Sequence, residues 1–358
     1  MIGSTVSPAI GASSDLERAP RLVNWNPVGA GGRPIPDELV APLRWRKARH
    51  ALVSLTSDLF DETVPDDYIA RIWATMASAR QNTFYVSTTQ HRRMRILLNS
   101  RSFWEDVCSH FVGLLHLGPG RSQVLPTPEA GFPLPHVGVG VRVRDQHDAE
   151  VAVPDLLATN VALRYVDARL CGPLDLDLPR CEDHNRDHAY FDASTATQRC
   201  GLCVDDGWLG ELSFGHWLDP LNDGIGWVVL HGESGRDATP LHPNWVRSLR
   251  DQCIEQDAPF WFGSWGDYIC VPVEDDPVFS GGRAYDDPRG GRCAPIVRVP
   301  APGRKSMRGS TARLLQPGES TRTTVLLDRD TIAVRVGSVN AGRALDGRTW
   351  DQFPSASV

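Results

Sequence analysis

Lysine is nearly missing from this 358-residue chain: only Lys47 and Lys305 carry it, so arginine supplies almost all of the positive charge. That bias fits a GC-rich coding sequence more simply than it fits a chemistry. Long apolar runs are missing too. None approaches the roughly 18 residues of a membrane span, which argues against a helical membrane protein. The first twenty residues lack a basic start followed by an apolar core, so no secretory signal is expected and a cytoplasmic location is. Positive charge is outweighed: the formal net charge is -7 and the pI near 5.9. This balance disfavours a nucleic-acid coat or a membrane-surface protein, while leaving room for a local basic patch. No cysteine precedes Cys108. Eight cysteines in a chain with no export signal suggest a reducing compartment, where clustered thiols bind metal more often than they form disulfides.

What is present is a repeating strand–helix pattern. Trp227-Val228-Val229-Leu230 is a short continuous apolar run, as expected for a strand buried on both faces of a parallel sheet. Gly232-Glu233-Ser234-Gly235 follows at once, a loop whose glycines let backbone approach a ligand closely. A helix is expected to open at Pro243, with Trp245, Leu249 and Cys253 on one side, and Phe260-Trp261-Phe262 begins the next strand. Similar strands are expected at 50–55, 83–88, 136–143 and 161–167, with a further one at Leu22 to Trp25. Tyr68, Ile69, Ile72, Trp73 and Met76 share a helical face, and a basic helix carries His91, Arg92, Arg93 and Arg95 as a solvated surface. Strands separated by helices imply parallel pairing, so the fold expected is α/β: a partial (β/α)6-7 TIM-like barrel.

Composition divides the chain. Residues 1–20 are expected as a disordered tail and 21–268 as the α/β partial barrel, interrupted by an insertion at 172–224. A Gly/Pro/Arg-rich loop is expected at 269–320, then a C-terminal hairpin and closing segment at 321–358. Within the insertion, Cys181 with His184 and Cys200 with Cys203 form two ligand pairs about fifteen residues apart, a spacing that suits structural zinc. Four protein ligands would staple the insertion and leave no open position for catalysis. The competing reading is four unrelated polar-loop residues.

The strand from His136 to Arg144 alternates cleanly. Its valines are expected to face the helices, while Gly138, Gly140, Arg142 and Arg144 face the lumen, the glycines leaving room there. Asp58, Asp167 and Glu233 sit at expected carboxyl ends of strands, where sites in such sheets gather. These five charged residues are candidates for acting on an anionic ligand. The plainer alternative is a set of internal ion pairs, such as Arg142 with Asp167, filling a retired pocket.

Several segments together resemble one family: Asn24-Trp25-Asn26-Pro27-Val28, Ser57-Asp58-Leu59-Phe60, Gly172 to Leu176, Gly232 to Gly235 with Leu241 to Cys253, and Ala341 to Arg348. On these residues the chain resembles the phage gene-product 37/68 proteins, a three-cysteine-motif group with a radical-SAM-like barrel. The resemblance implies a phage or mobile-element setting, and S-adenosylmethionine contacted by Gly232, Glu233, Ser234 and Gly235. The departures are telling. The family's cysteine cluster follows the segment corresponding to Val28, where this chain continues Gly29-Ala30-Gly31-Gly32-Arg33, so an iron–sulfur cluster is not expected there. The family's Phe-Lys-Gln-Trp-Gly stands here as Phe262-Gly263-Ser264-Trp265-Gly266. The expectation is therefore a degenerate, zinc-stapled binding or accessory protein, with a protein partner or small anionic ligand. The alternative is an enzyme acting on an anionic or nucleotide-like substrate in the barrel mouth. A nucleic-acid partner is disfavoured by the net charge.

Overall fold

A computed structural model describes residues 22–54, 57–114, 133–176, 179–181, 189–192, 197–200, 214–218, 224–272, 296–299, 311–314, 324–328 and 331–354. Seven parallel strands form its main sheet: β1 (Leu22–Trp25), β2 (His50–Val53), β3 (Thr83–Thr88), β4 (Val137–Val143), β5 (Leu163–Ala168), β10 (Trp227–His231) and β11 (Phe260–Ser264). They lie side by side in that order, curled into a half-barrel whose edge strands β1 and β11 do not pair with each other. The partial barrel expected from the strand–helix alternation is thus present.

Helices cover the convex face. These are α1 (Pro36–Leu39), α2 (Asp66–Ser78), α3 (His91–Leu98), α4 (Arg101–Leu114), α5 (Gln146–Leu157) and α6 (Pro243–Glu255). Each strand sends alternate residues to the two faces. Val86, Val139, Val141, Val166, Val228 and Phe260 join the helix-side core with Ile69, Ile72, Phe103, Val153 and Leu249. Tyr85, Tyr165, Trp227 and Val229 form a separate cluster on the concave face.

Local chemistry starts and stops the helices. Asp66 and Asp67 in the first turn of α2 complement the positive end of its dipole. Asp145 caps α5, its carboxylate accepting from the Asp148 amide at 2.9 Å. At α6, Pro243 takes the first helical position and His242 is the cap, Nδ1 accepting from the Asn244 amide at 3.1 Å. An accepting Nδ1 leaves the proton on Nε2, which donates to Asp328 at 2.8 Å. One imidazole therefore caps a barrel helix and ties it to the C-terminal region. Replacing His242 with alanine should lower stability by about 1–2 kcal/mol. His242→Asn should recover the cap but not the Asp328 contact, giving an intermediate midpoint in urea. An alanine variant as stable as the parent would remove this role.

Two regions lie outside the repeat. Between β5 and β10, strand β6 (Pro179–Cys181) pairs antiparallel with β9 (Phe214–His216), and β7 (Ala189–Asp192) with β8 (Thr197–Cys200). After β11, strand β12 (Tyr268–Pro272) pairs with β16 (Thr331–Arg335), which pairs with β15 (Thr324–Leu326). A further hairpin joins β13 (Ile296–Val299) to β14 (Thr311–Leu314). The C-terminal hairpin expected within 321–358 corresponds to β15 and β16, which belong to a three-stranded sheet. The 269–320 span, expected as a loop, carries most of β12, to which β16 offers an antiparallel edge that local composition does not announce, and all of β13 and β14, which pair with each other.

The basic helix α3 is also less solvated than its arginines suggested. Arg93 donates to the carbonyls of Phe60, Asp61 and Val64 and pairs with Asp66, while His91 and Arg95 both reach Asp155 on α5. Among the described residues no helix is long and apolar enough to cross a membrane.

Candidate functional site

The polar residues of the concave face collect where β3, β4, β5 and β10 end. Strand register places Arg142 beside Asp167. Asp167, 5% exposed, takes Arg142 Nε at 3.2 Å on one carboxylate oxygen and Arg169 Nε at 3.3 Å on the other. Ser87 donates its hydroxyl to Asp167 at 2.9 Å and accepts from Arg142 Nη2 at 3.1 Å. Burial alone would push the Asp167 carboxyl up. Arg169 and Arg142, helped by Ser87, outweigh that and hold it below the usual range. Tyr165 lies beside the knot, and its burial, with the nearby Asp167 carboxylate, raises the phenol well above normal.

His231 stands at the end of β10, its ring 4.9 Å from Trp261. It makes no hydrogen bond among the described residues. Burial lowers its pKa to about 4; Asp167 opposes this, while Arg169, Arg142 and Arg343 reinforce it. The imidazole is therefore neutral at pH 7. Gly263 makes the space for it, since a Cβ there would lie 2.4 Å from the ring. Arg343 lies 5.4 Å over Trp261 and pairs with Asp351. Farther out, half-exposed Arg144 approaches Glu233 at 3.5 Å.

Below this polar layer the concave face is filled. Trp227 packs 4.6 Å from Tyr85 and 5.4 Å from Tyr165, and Phe353 lies 5.4 Å from both Trp227 and His50. The closing segment that delivers Phe353 runs along the edge of β11: Phe262 donates to the Trp350 carbonyl, and the Trp227 indole to the Gln352 carbonyl. Gly138 and Gly140 face this side as expected, but the space they leave is taken. A Cβ on Gly140 would come within 2.7 Å of the Tyr165 ring, and one on Gly138 within 3.1 Å of Tyr85.

Residues 19–354 match the family described as "Protein of unknown function (DUF5131)". The chain belongs to this family. No curated protein matches it. No solved structure matches it either.

In this DUF5131 protein the five charged candidates divide into three sets. Arg142 and Asp167 form the buried knot, and Arg144 with Glu233 forms the outer pair. Asp58 belongs to neither: its carboxylate accepts from the Phe60 amide, the Thr88 hydroxyl, and the amide and hydroxyl of Thr89. It ties the loop after β2 to the end of β3. The Gly232–Gly235 loop is likewise committed within the protein. The Gly232 amide donates to the Ser264 carbonyl at 2.7 Å, and a Cβ there would strike the Trp265 carbonyl. Gly235 donates to Asp267 at 3.1 Å, and Glu233 accepts twice from Thr239. The close approach its glycines permit is to backbone rather than to open space, with Ser234 left exposed.

Of the four zinc candidates, His184 and Cys203 lie outside the described residues, and Cys181 and Cys200 end β6 and β8. Among the described residues no group of three or more His, Cys, Asp or Glu side chains is placed to hold a metal ion. Ser87, His231, Arg169 and Tyr165 were missed from sequence. The period-two rule that exposed Arg142 also puts Ser87, Tyr165 and His231 on the inner face of their strands, and would have found them.

Proposed function

We propose that the chain is a non-radical binding or accessory protein, a divergent relative of the phage gene-product 37/68 proteins it resembles, built on a retained half-barrel. The carrying observation is the filled concave face, where Tyr85, Tyr165, Trp227 and Phe353 pack ring against ring. The segment after Val28 supports the same reading. It holds no thiolate, and a Cβ on Gly32 would sit 1.8 Å from the Thr63 hydroxyl oxygen, so cluster ligands do not fit this turn as built. Gly263, where the resembled family has lysine, is occupied over by His231. In this reading zinc held by Cys181, His184, Cys200 and Cys203 staples the insertion, and S-adenosylmethionine has no role at the Gly232–Gly235 loop.

Metal and sulfide analysis of anaerobically purified protein, with an absorbance spectrum, tests the reading. The expected sample is colourless, with about one zinc per chain and no iron. A brown sample carrying iron and sulfide would overturn it. One observation favours a second reading, an enzyme acting on an anionic or nucleotide-like substrate: a neutral, non-hydrogen-bonded imidazole stands near a buried carboxylate at the carboxyl end of the sheet.

A further inference from the structure

The charges of the buried knot at the half-barrel mouth do not cancel. Asp167 is one carboxylate facing two guanidiniums, each of which gives it only Nε. Arg142 passes Nη2 to Ser87, but both terminal nitrogens of Arg169 take no partner among the described residues. Arg144 meets Glu233 only at 3.5 Å, and two of the bonds that Glu233 accepts come from Thr239 instead. Arg343 has its own acid in Asp351. Within the knot two guanidiniums thus share the one carboxylate of Asp167, leaving one positive charge there, while Arg144 lies among Glu233, Asp148 and Asp145. Arg142 and Arg169 are each about a quarter exposed, so the surplus faces solvent rather than lying sealed.

We propose that this mouth binds a small oxyanion, a carboxylate or a phosphate monoester, in the fork of Arg169, with His231 hydrogen bonding to its neighbouring polar group. Three features support the geometry. Ligands of open α/β sheets bind outside the carboxyl ends of the strands, and Arg142, Asp167, Arg169 and His231 all sit there. A guanidinium anchored through Nε presents its two terminal nitrogens in the geometry that matches two anion oxygens. A neutral imidazole has one donor and one acceptor nitrogen, so it accepts a ligand hydroxyl or amine as readily as it donates. Burial keeps His231 neutral, with Asp167 favouring a proton there and Arg169, Arg142 and Arg343 disfavouring it.

The inference rests on the binding-protein reading, and calorimetric titration of the full chain with benzoate and with phenyl phosphate at low salt tests it. Saturable 1:1 binding that weakens with added salt is expected. Arg169→Gln should bind about tenfold more weakly or worse, with Arg169→Lys between it and the parent. Arg335→Gln, which removes a guanidinium paired with Asp267 on the C-terminal sheet, should bind as the parent does. Failure to saturate, or equal affinity in Arg169→Gln, overturns the site. The metal assay separates the two claims: an iron-free protein that does not bind loses this site alone. An iron-bearing protein that binds loses the non-radical reading alone.

Discussion

Replacing Asp167 with alanine should destabilise the protein by about 3 kcal/mol at pH 7, near the low end of what removing one member of a buried ion pair costs. The carboxylate is 5% exposed and accepts from Arg142, Arg169 and Ser87. Deleting it leaves two guanidiniums facing each other with no counter-charge, and strands the Ser87 hydroxyl that donates to it. The partial exposure of both arginines lets water recover some of the loss, which is why the upper end is not expected. Asp167→Asn keeps an acceptor for Ser87 without the charge, and should fall between parent and alanine.

Urea denaturation at pH 7 measures this directly. A double variant sharpens it: Arg142→Met with Asp167→Leu replaces the pair by apolar groups, and should be more stable than Asp167→Ala alone. If Asp167→Ala costs less than about 1 kcal/mol, the knot is not the organising feature of the concave face. A knot of this kind favours the retired-pocket alternative for Arg142 with Asp167, while the surplus guanidinium leaves the same cluster able to hold a ligand. The two descriptions are compatible, because only one of the two arginines is needed to neutralise the acid.

The half-barrel was legible because its signals are local. Short apolar runs mark buried parallel strands, and the helical spacing of Tyr68, Ile69, Ile72, Trp73 and Met76 marks α2, all of them buried as expected. Alternation alone placed Arg142 on the inner face. Helix α4 was missed although Phe103, Val107 and Phe111, its buried residues, recur every fourth position. What the concave face contains is a different matter, since it depends on pairs far apart in sequence. Gly140 reads as open space until Tyr165 of the adjacent strand is seen to fill it. The partners of Asp58 are likewise not local: Thr88 and Thr89, thirty residues on, donate to both its oxygens. Phe353 enters the barrel floor only because its segment runs along the edge of β11, which no local pattern encodes. The proposed zinc ligands stay where sequence spacing left them, because His184 and Cys203 lie outside the described residues.

Acid should weaken the parent protein well before its carboxylates titrate, and His231 should account for much of that loss. An unfolded histidine takes its proton near pH 6.5. In the folded chain burial lowers the His231 pKa to about 4, opposed by Asp167 and reinforced by Arg169, Arg142 and Arg343. Between those two values the unfolded state binds a proton that the folded state refuses, so stability falls as pH falls. The loss begins near pH 6.5, is complete just below pH 4, and amounts to about 3 kcal/mol at most. Asp167 adds a loss of the same sign in a lower window, because its depressed carboxyl is stabilising only above its unfolded pKa of about 3.9. His50 and His136 are also lowered by burial, but they are common to parent and variant, so a difference measurement cancels them. Chemical denaturation of parent and His231→Asn from pH 7.5 to 4 should give curves that converge as the pH falls, the variant losing less across the window. Parallel curves would mean that the imidazole titrates as it does in water, and that it is not buried at the end of β10 as described.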